Sequence, residues 1–358
     1  MLKPRECIRS LGAYHAPTAG RCGLNLDLNE NTGGCSPRVL ARLKKMTGSD
    51  IAHYAEREGG ERLVAEFLGV APNQVLLTNG VDEGLHLLAD SYLAQGDEAI
   101  LIAPTFTMYP IYIQGAGARI VEVPCEEELA YPTERVLAAI NGQTRLIAIA
   151  NPNNPTGTTV ARGDLVQIVR AAPNAAVIVD EAYFEFFGET LLDQLANFEN
   201  LFITRTFSKA YGLAGLRVGA IVGASGQVDV IRRFVSPFNV NGVALACLGD
   251  ALADQEFMRS YVAQVREGRA RLQELCKEIG LRYWPSQANF VLVRVGPRSR
   301  EFCAALERRG ILVRDRSSEP GCAGCVRITV GLREHTDQLL PALRAALAEI
   351  GITNKVSA

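Results

Sequence analysis

A lysine lies between two strand-like runs, in a segment rich in small and hydroxyl side chains. Residues 206–217 read TFSKAYGLAGLR, after the apolar run 200–205 and before the apolar run 218–222. An amine that is partly desolvated and close to a cation has a lowered pKa, and the neutral amine can form a Schiff base with an aldehyde. Lys209 is therefore the candidate covalent anchor of the chain.

The side chains beside Lys209 are donors that a phosphate group prefers. Thr206 and Ser208 offer hydroxyls, and Arg217 offers a planar guanidinium. Charge-assisted hydrogen bonds to phosphate are strong, and arginine meets phosphate oxygens as a fork. A Schiff-base amine beside a phosphate site suggests pyridoxal phosphate as the cofactor. Alone, the Ser-Lys pair is equally compatible with a cofactor site and with a turn that carries an incidental lysine. Other segments must distinguish the two.

A second phosphate site is predicted upstream, built from backbone. Residues 75–88 (VLLTNGVDEGLHLL) indicate a short strand, a glycine turn and a helix that begins near Val81. The first turn of a helix has unpaired amides and the positive end of the helix dipole. Val81 and Asp82 are therefore placed among the cofactor-binding residues.

Polar side chains follow two more strand-like runs. Residues 175–183 (AAVIVDEAY) and 145–157 (RLIAIANPNNPTG) are typical of buried parallel strands that deliver side chains to a site at their carboxyl ends. An aspartate opposite a pyridine nitrogen keeps that nitrogen protonated, and we assign this role to Asp180. Asn154, with Tyr183 as its companion, is placed to hydrogen-bond the phenolic oxygen of the cofactor. For Asp180 alone, a strand-end cap is an equally good explanation.

These segments resemble, in the same order along the chain, the motifs of fold-type I, pyridoxal-phosphate-dependent aminotransferases of class II. Within that group the sequence is similar to the histidinol-phosphate aminotransferase family. The motifs that carry the resemblance are 26–31 (LDLNEN), 78–84 (TNGVDEG), 103–109 (APTFTMY), 151–157 (NPNNPTG), 180–183 (DEAY), 206–217, 236–241 (SPFNVN) and 326–331 (VRITVG).

Strand and helix patterns alternate up to residue 223, which predicts an α/β fold with a mostly parallel central sheet. Beyond residue 240 one long helical pattern, 254–280, precedes short strands and a last helix at about 334–350, which predicts a smaller α+β domain. The expected division is an N-terminal arm at 1–36, a large cofactor-binding domain at 37–240 and a small domain at 241–358. The Gly- and Pro-punctuated segment is expected to be an arm rather than a packed element, and to pack with the small domain and the active site.

The resemblance also implies roles for three aromatic residues. Phe106 would stack on the pyridine ring, and Tyr14 of the arm would contact the substrate. Tyr54 would reach the cofactor phosphate of a neighbouring subunit, so that the active site is completed only in a homodimer. The sequence departs from the family after residues 29–31, where Thr32 replaces the usual proline.

Two arginines lie within apolar strand patterns of the small domain. A buried arginine is costly unless it meets an anion, so Arg314 and Arg327 are candidate anion ligands. By resemblance, Arg327 takes the carboxylate of the amino donor or oxo acid, and Arg314 joins it on the phosphate of histidinol phosphate. Pairing with an acid such as Asp315 is the alternative for Arg314.

The implied reaction is transamination between L-histidinol phosphate and 2-oxoglutarate in histidine biosynthesis. In that reaction the substrate amine displaces Lys209, and the freed lysine removes a proton as general base. An aromatic amino-acid aminotransferase or a threonine-phosphate decarboxylase would share nearly all of these motifs. A non-enzymatic sensor domain would require an attached DNA-binding domain.

Composition fits an enzyme in the cytoplasm. The 358 residues are 48% hydrophobic, the net charge is -2 and the pI is near 6.2. We therefore expect neither a nucleic-acid partner nor an acidic-membrane partner. No apolar run of about 18 residues predicts a transmembrane helix, and the first residues contain no secretory h-region.

Cysteines and histidines indicate no metal site. The nine cysteines, an odd number, favour reduced thiols, and the Cys322/Cys325 pair has redox or half-zinc spacing without a second pair. Two incidental thiols in a loop are the favoured interpretation of that pair. The four histidines are scattered.

Overall fold

The computed structural model describes residues 2–9, 11–13 and 20–352. Its strands are β1 Leu24–Leu26, β2 Val75–Thr78, β3 Glu98–Ala103, β4 Arg119–Pro124, β5 Thr144–Ala150, β6 Ala176–Asp180, β7 Leu201–Thr206, β8 Gly219–Gly223, β9 Arg282–Tyr283, β10 Phe290–Arg294, β11 Ile311–Asp315 and β12 Cys325–Thr329. Its α-helices are α1 Glu6–Arg9, α2 Pro37–Lys45, α3 Gly48–Ala52, α4 Glu58–Leu68, α5 Gly80–Tyr92, α6 Met108–Ala116, α7 Thr133–Ala139, α8 Arg162–Ala171, α9 Phe184–Phe187, α10 Ser225–Arg232, α11 Gly242–Ala253, α12 Gln255–Glu278, α13 Ser299–Glu307 and α14 Arg333–Glu349.

Seven strands form the larger sheet, in the order β2-β8-β7-β6-β5-β3-β4. Neighbours from β4 to β7 are parallel, and β8 is antiparallel to both β7 and β2. Side chains of β6 alternate between two cores, with Val177 and Val179 in one and Ile178 in the other. Because helices cover both faces, the strands are apolar along their length. The predicted α/β fold with a mostly parallel sheet is confirmed.

Five strands form the smaller sheet, in the order β1-β11-β12-β10-β9. The sheet is antiparallel except for β1, which runs parallel to β11. Helix α12 is the predicted long helix, and its apolar stripe packs against β10 and α14. The described strands thus form two sheets that have no strand in common. The domain boundaries stay a prediction.

The N-terminal arm differs from its prediction. Residues 24–26 form strand β1, with Leu26 opposite Val313 and only 1% exposed. The expectation of an arm rather than a packed element is wrong for residues 24–26, because backbone pairing with the edge of β11 makes them a strand without any internal periodicity. The cap-like serine and the proline that follows it explain where α2 begins: the Ser36 hydroxyl accepts a hydrogen bond from the amide of Arg38 at 3.0 Å, and Pro37 occupies the first turn.

In the part of the chain that the structure describes, no helix combines the length and the apolar character needed to cross a bilayer.

A buried ion pair stabilises the segment that follows β6. Arg205 and Glu181 are 2.8 Å apart, and their side chains are 5% and 1% exposed. Glu181 also accepts hydrogen bonds from the Thr190 hydroxyl and the Leu191 amide, and the Arg205 guanidinium lies 3.6 Å from the centroid of the Phe184 ring. Removing one member of such a pair leaves a buried charge without compensation.

We therefore expect Arg205→Met to lower the free energy of unfolding by about 3–5 kcal/mol. The matched control is Arg271→Met, which removes an ion pair to Asp337 whose side chains are 37% and 56% exposed. That control should cost less than ~1 kcal/mol. Urea titration of the two variants at equal cofactor loading measures both values, and equal losses would contradict the assignment.

Candidate active site

A cavity of about 460 Å³ lies where the carboxyl ends of β5, β6 and β7 face the arginines of β11 and β12. Parallel strands that end at one edge bring their last side chains together, which explains why residues distant in sequence meet here. The predicted site residues that line it are Val81, Asp82, Phe106, Asn154, Asp180, Tyr183, Thr206, Ser208, Lys209, Arg217, Arg314 and Arg327.

Lys209 follows β7 and points into this cavity. Its Nζ donates a hydrogen bond to the carbonyl oxygen of Leu28 at 3.1 Å. Burial, and then the charge of Arg327, lower the pKa of Lys209 to about 8, although Glu30 and Asp82 oppose the change. A large fraction of this amine is therefore uncharged at mildly alkaline pH, the state required of a nucleophile or general base.

Asp180 ends β6 and is 5% exposed. One carboxylate oxygen accepts from the Tyr109 hydroxyl at 2.8 Å, and the other accepts from the Thr204 hydroxyl at 2.9 Å and the Ala182 amide at 3.1 Å. Burial raises the pKa of Asp180, and these three hydrogen bonds oppose the rise. The carboxylate is thus fixed in position and suited to hold a protonated base that enters the cavity.

Asn154, Tyr183 and Arg327 form a connected polar wall. Arg327 donates to the side-chain oxygen of Asn154 at 2.6 Å and to the backbone carbonyl of Asp27 at 2.6 Å. The Tyr183 hydroxyl accepts from the side-chain amide of Asn29 at 2.9 Å. Since the oxygen of Asn154 is already occupied, its amide NH₂ is the group oriented to donate elsewhere. Burial raises the pKa of Tyr183, so the phenol keeps its proton.

Arg217 lies beside the first turn of α5. Its backbone is left-handed, with φ 54°, which is uncommon for a residue with a side chain. A Cβ on Gly80 would lie 2.4 Å from its Nη2, and a Cβ on Gly219 would lie 2.7 Å from the amide nitrogen of Val81. Glycine at both positions therefore brings the guanidinium and the helix amides together. Arg217 also contacts Asp82 at 2.9 Å, with both side chains more than two-fifths exposed.

The two hydroxyl residues lie on the same side of the cavity. Thr206 and Ser208 are each 6% exposed, and the Thr206 hydroxyl accepts from the Ser208 amide at 3.1 Å. Phe106 lies on the cavity wall, edge-to-face with Tyr109 at a centroid distance of 5.5 Å.

Two predicted residues are not part of this wall. Tyr54 is 79% exposed and stacks on Phe238 at 4.3 Å, and it does not line the cavity of its own chain. Tyr14 lies outside the described residues.

Several groups that build the site were not predicted from the sequence. Tyr109 holds Asp180, and Asn29 holds Tyr183. Arg316 also lines the cavity. Tyr109 lies within the 103–109 motif, and that motif could have identified it as a site residue. Arg316 lies two residues beyond Arg314, the spacing that repeats a strand face, and that signal was present as well.

Comparison with known proteins gives a consistent result. A family model described as aminotransferase class I and II matches residues 22–343. A histidinol-phosphate aminotransferase of Geobacillus sp. (strain WCH70) is 38% identical over 335 residues, which cover 91% of this chain and 90% of the relative. Histidinol-phosphate aminotransferase 2 of Pseudomonas fluorescens (strain Pf0-1) is 38% identical over 332 residues, 91% of this chain and 89% of the relative.

Among solved structures, the chain is similar to the histidinol-phosphate aminotransferase of Sinorhizobium meliloti, which was crystallised with pyridoxal-5'-phosphate. The TM-score is 0.88 at 25% identity, with 98% of this chain and 99% of that chain covered.

The environment of Lys209 leads to a test of its charge. In cofactor-free protein, reaction of Lys209 with an amine-selective reagent should have a pH midpoint near 8. Arg327→Gln should raise that midpoint, because a nearby positive charge that disfavours the ammonium is removed. Peptide mass spectrometry across a pH series measures the labelling. Arg300→Gln is the control, since Arg300 is 91% exposed and does not line the cavity; an unchanged midpoint in Arg327→Gln would refute the assigned cause.

Proposed function

We propose, because the chain belongs to the class I and II aminotransferase family, that it transfers the amino group of L-histidinol phosphate to 2-oxoglutarate with pyridoxal phosphate as cofactor. The products are imidazole acetol phosphate and glutamate. One observation carries the proposal: a single cavity holds a lysine with a pKa of about 8, a buried aspartate and the arginines of β11 and β12. The names of the most similar curated relatives support the substrate.

The residues present fit pyridoxal phosphate. The first turn of α5, the hydroxyls of Thr206 and Ser208 and the guanidinium of Arg217 line the cavity, and Gly80 and Gly219 let the guanidinium and the helix amides approach each other as donors to a phosphate. Asp180, at the end of β6, would face the pyridine nitrogen. When bound, the cofactor supplies an electron sink for the carbon from which a proton is removed.

Further cavity residues would hold the ring. Phe106 would cover one of its faces, and the NH₂ group of Asn154 together with the Tyr183 hydroxyl would donate to its phenolic oxygen. Both donors are buried, so water competes little for that oxygen.

The residues of the chain then divide the chemical work. Lys209 would anchor the aldehyde of the cofactor, and after exchange with the substrate amine its free Nζ would take the proton from the amine-bearing carbon. The Leu28 carbonyl, which accepts from Nζ in this structure, orients the amine beforehand. Tyr109 and Thr204 keep the Asp180 carboxylate aligned, and this carboxylate would keep the ring nitrogen of a bound cofactor protonated.

The arginines select the substrate. Arg314 and Arg327 are directly opposite in the antiparallel pairing of β11 and β12, and both line the cavity. Two guanidiniums side by side repel one another unless an anion lies between them. A phosphate of the amino donor, or a carboxylate of 2-oxoglutarate, meets that requirement. Tyr14 would close the substrate side from the arm.

The function is tested by the half-reaction of cofactor-loaded protein with histidinol phosphate and, separately, with phenylalanine. We expect histidinol phosphate to convert the absorbance of the bound aldehyde cofactor rapidly to that of the aminated form, and phenylalanine to do so much more slowly. We expect Lys209→Ala to lower the rate of multiple turnover by several orders of magnitude, because the base and anchor are removed. Faster conversion by phenylalanine would favour an aromatic aminotransferase, and release of carbon dioxide would favour a decarboxylase.

We also propose that the enzyme is a homodimer in which Tyr54 reaches the cofactor phosphate of the other subunit. Tyr54 supports this because its ring is 79% exposed, stacked on the half-exposed Phe238 and not among the residues that line the cavity of its own chain. A cytoplasmic location is part of the same proposal, and the free thiol of the exposed Cys22 is compatible with a reducing compartment.

Shared active sites can be tested by complementation. Lys209→Ala and Tyr54→Ala should each be impaired as homodimers, and subunit exchange between them should recover activity, because one site of the mixed dimer carries neither substitution. Activity is assayed before and after exchange. Recovery would be absent if Tyr54 acted within its own subunit. Phe67→Ala, which changes another exposed aromatic side chain, is the control and should not impair the homodimer.

A further inference from the structure

Three arginines share one face of the smaller sheet. Arg314 and Arg316 are two residues apart, the spacing that repeats a strand face, and Arg327 is opposite Arg314 on β12. The backbone amide of Arg316 donates to the carbonyl of Cys325 at 2.9 Å, which continues the pairing of the two strands by one position. All three arginine side chains line the same cavity. The pairing therefore fixes three guanidiniums at one end of the site.

Arg316 is the most enclosed of these side chains after Arg327. The two residues are 5% and 4% exposed, and the Nε of each is buried without a hydrogen-bond partner among the described residues. Buried donors are nearly always satisfied, so unpaired nitrogens on two neighbouring arginines indicate a missing acceptor. A ligand with several oxygens is the acceptor that this geometry favours.

Glu319 is the carboxylate that faces the cluster formed by these three arginines. It forms an ion pair with Arg316, and their side chains are 12% and 6% exposed. Burial raises the pKa of Glu319, and the charges of Arg316, Arg327 and Arg314 oppose the rise. The loop that carries Glu319 is held by successive turns: its amide donates to the Arg316 carbonyl at 3.0 Å, and the Cys322 amide donates to the Glu319 carbonyl at 3.0 Å. The acid is thus held against Arg316 beside this end of the cavity, although Glu319 does not itself line the cavity.

The charges of the cluster do not cancel. Three guanidiniums and one carboxylate leave a surplus of two positive charges in a largely desolvated place. The arginine charges also act on one another: burial lowers the pKa of Arg327, and the charges of Arg316 and Arg314 lower it further. A phosphate monoester carries about two negative charges at neutral pH, which matches the surplus.

We propose that Arg316 and Glu319 are a specificity-determining pair: Arg316 is a third ligand of the substrate's phosphate, and Glu319 limits the surplus charge to that of a phosphate dianion. This inference rests on the proposed function and deepens it. In the free enzyme Glu319 holds Arg316 in place of the substrate. On binding, the phosphate shares Arg316 with Glu319, and the unpaired Nε groups gain an acceptor.

The first test is Arg316→Gln in the cofactor-loaded enzyme. We expect the KM for histidinol phosphate to rise roughly 10- to 100-fold, as for the loss of a hydrogen bond to a charged group. The KM for phenylalanine, which has no phosphate, should change less than about threefold. Arg300→Gln, an exposed neighbour outside the cavity, is the control and should change neither value. Equal rises for both donors would mean a structural role, and no rise for histidinol phosphate would remove Arg316 from the site.

Glu319→Gln tests the counterion. This variant keeps the shape and a hydrogen-bond acceptor but removes the competing charge, so we expect the KM for histidinol phosphate to fall and to depend more steeply on salt concentration. A rise like that of Arg316→Gln would show that Glu319 only orients Arg316, and an unchanged KM would show no competition. Either result overturns the counterion role. Thermal unfolding of each variant identifies a general loss of structure.

Binding of inorganic phosphate separates this inference from the proposed function. Calorimetric titration of the cofactor-loaded protein needs no turnover, so it remains informative if histidinol phosphate is not a substrate. We expect measurable binding to the parent protein, weaker binding to Arg316→Gln and tighter binding to Glu319→Gln. If the parent uses another amino donor but this order is kept, the proposed function fails and the anion site stands. If the parent does not bind phosphate, or if the three affinities are equal, the inference fails whatever the substrate.

Discussion

Asn29 is the residue on which the two halves of the site depend. It is 1% exposed and has a left-handed backbone, with φ 55°, a conformation that asparagine tolerates better than most residues. Its side chain donates to Tyr183, next to the larger sheet, and accepts from Thr329 of the smaller sheet. Its amide donates to the same threonine hydroxyl, and its carbonyl accepts from Asn289. Every polar group of this residue therefore joins the arm to one sheet or the other.

The turn that contains Asn29 also holds the side chain of Lys209. Leu28 precedes Asn29, and its carbonyl is the acceptor of the Lys209 ammonium. The turn is held from outside by Arg21, which contacts Asp27 at 2.6 Å and Glu30 at 2.5 Å. Since Glu30 is also a charge that raises the pKa of Lys209, the pairing of Glu30 with Arg21 moderates its effect on the amine. The arm thus forms one wall of the site. A strand of the larger sheet could not take its place.

The strand ends were the part of the site that the sequence could predict. Asp180 ends a continuous apolar run and Thr206 ends a strand that begins with one, and parallel strands bring such ends to one edge whatever the details of packing. The alternation of strands and helices predicted the larger sheet for the same reason. Strand β1 was not predictable in this way: three residues carry no measurable periodicity, and only the open edge of β11 makes them a strand.

Partners across strands were the part that the sequence could not predict. Arg314 and Arg327 could be recognised singly, as charges within apolar runs, but that they lie directly opposite depends on the register of β11 and β12. A shift of one residue would turn Arg327 to the other face of the sheet and leave Arg314 and Arg316 without it. The register is specified by buried residues such as Val326 and Ile328, which lie on either side of Arg327. Both are fully buried on the opposite face of the sheet. The hydrophobic core thus determines which charges meet, and through them the charge of the ligand that the cavity can hold.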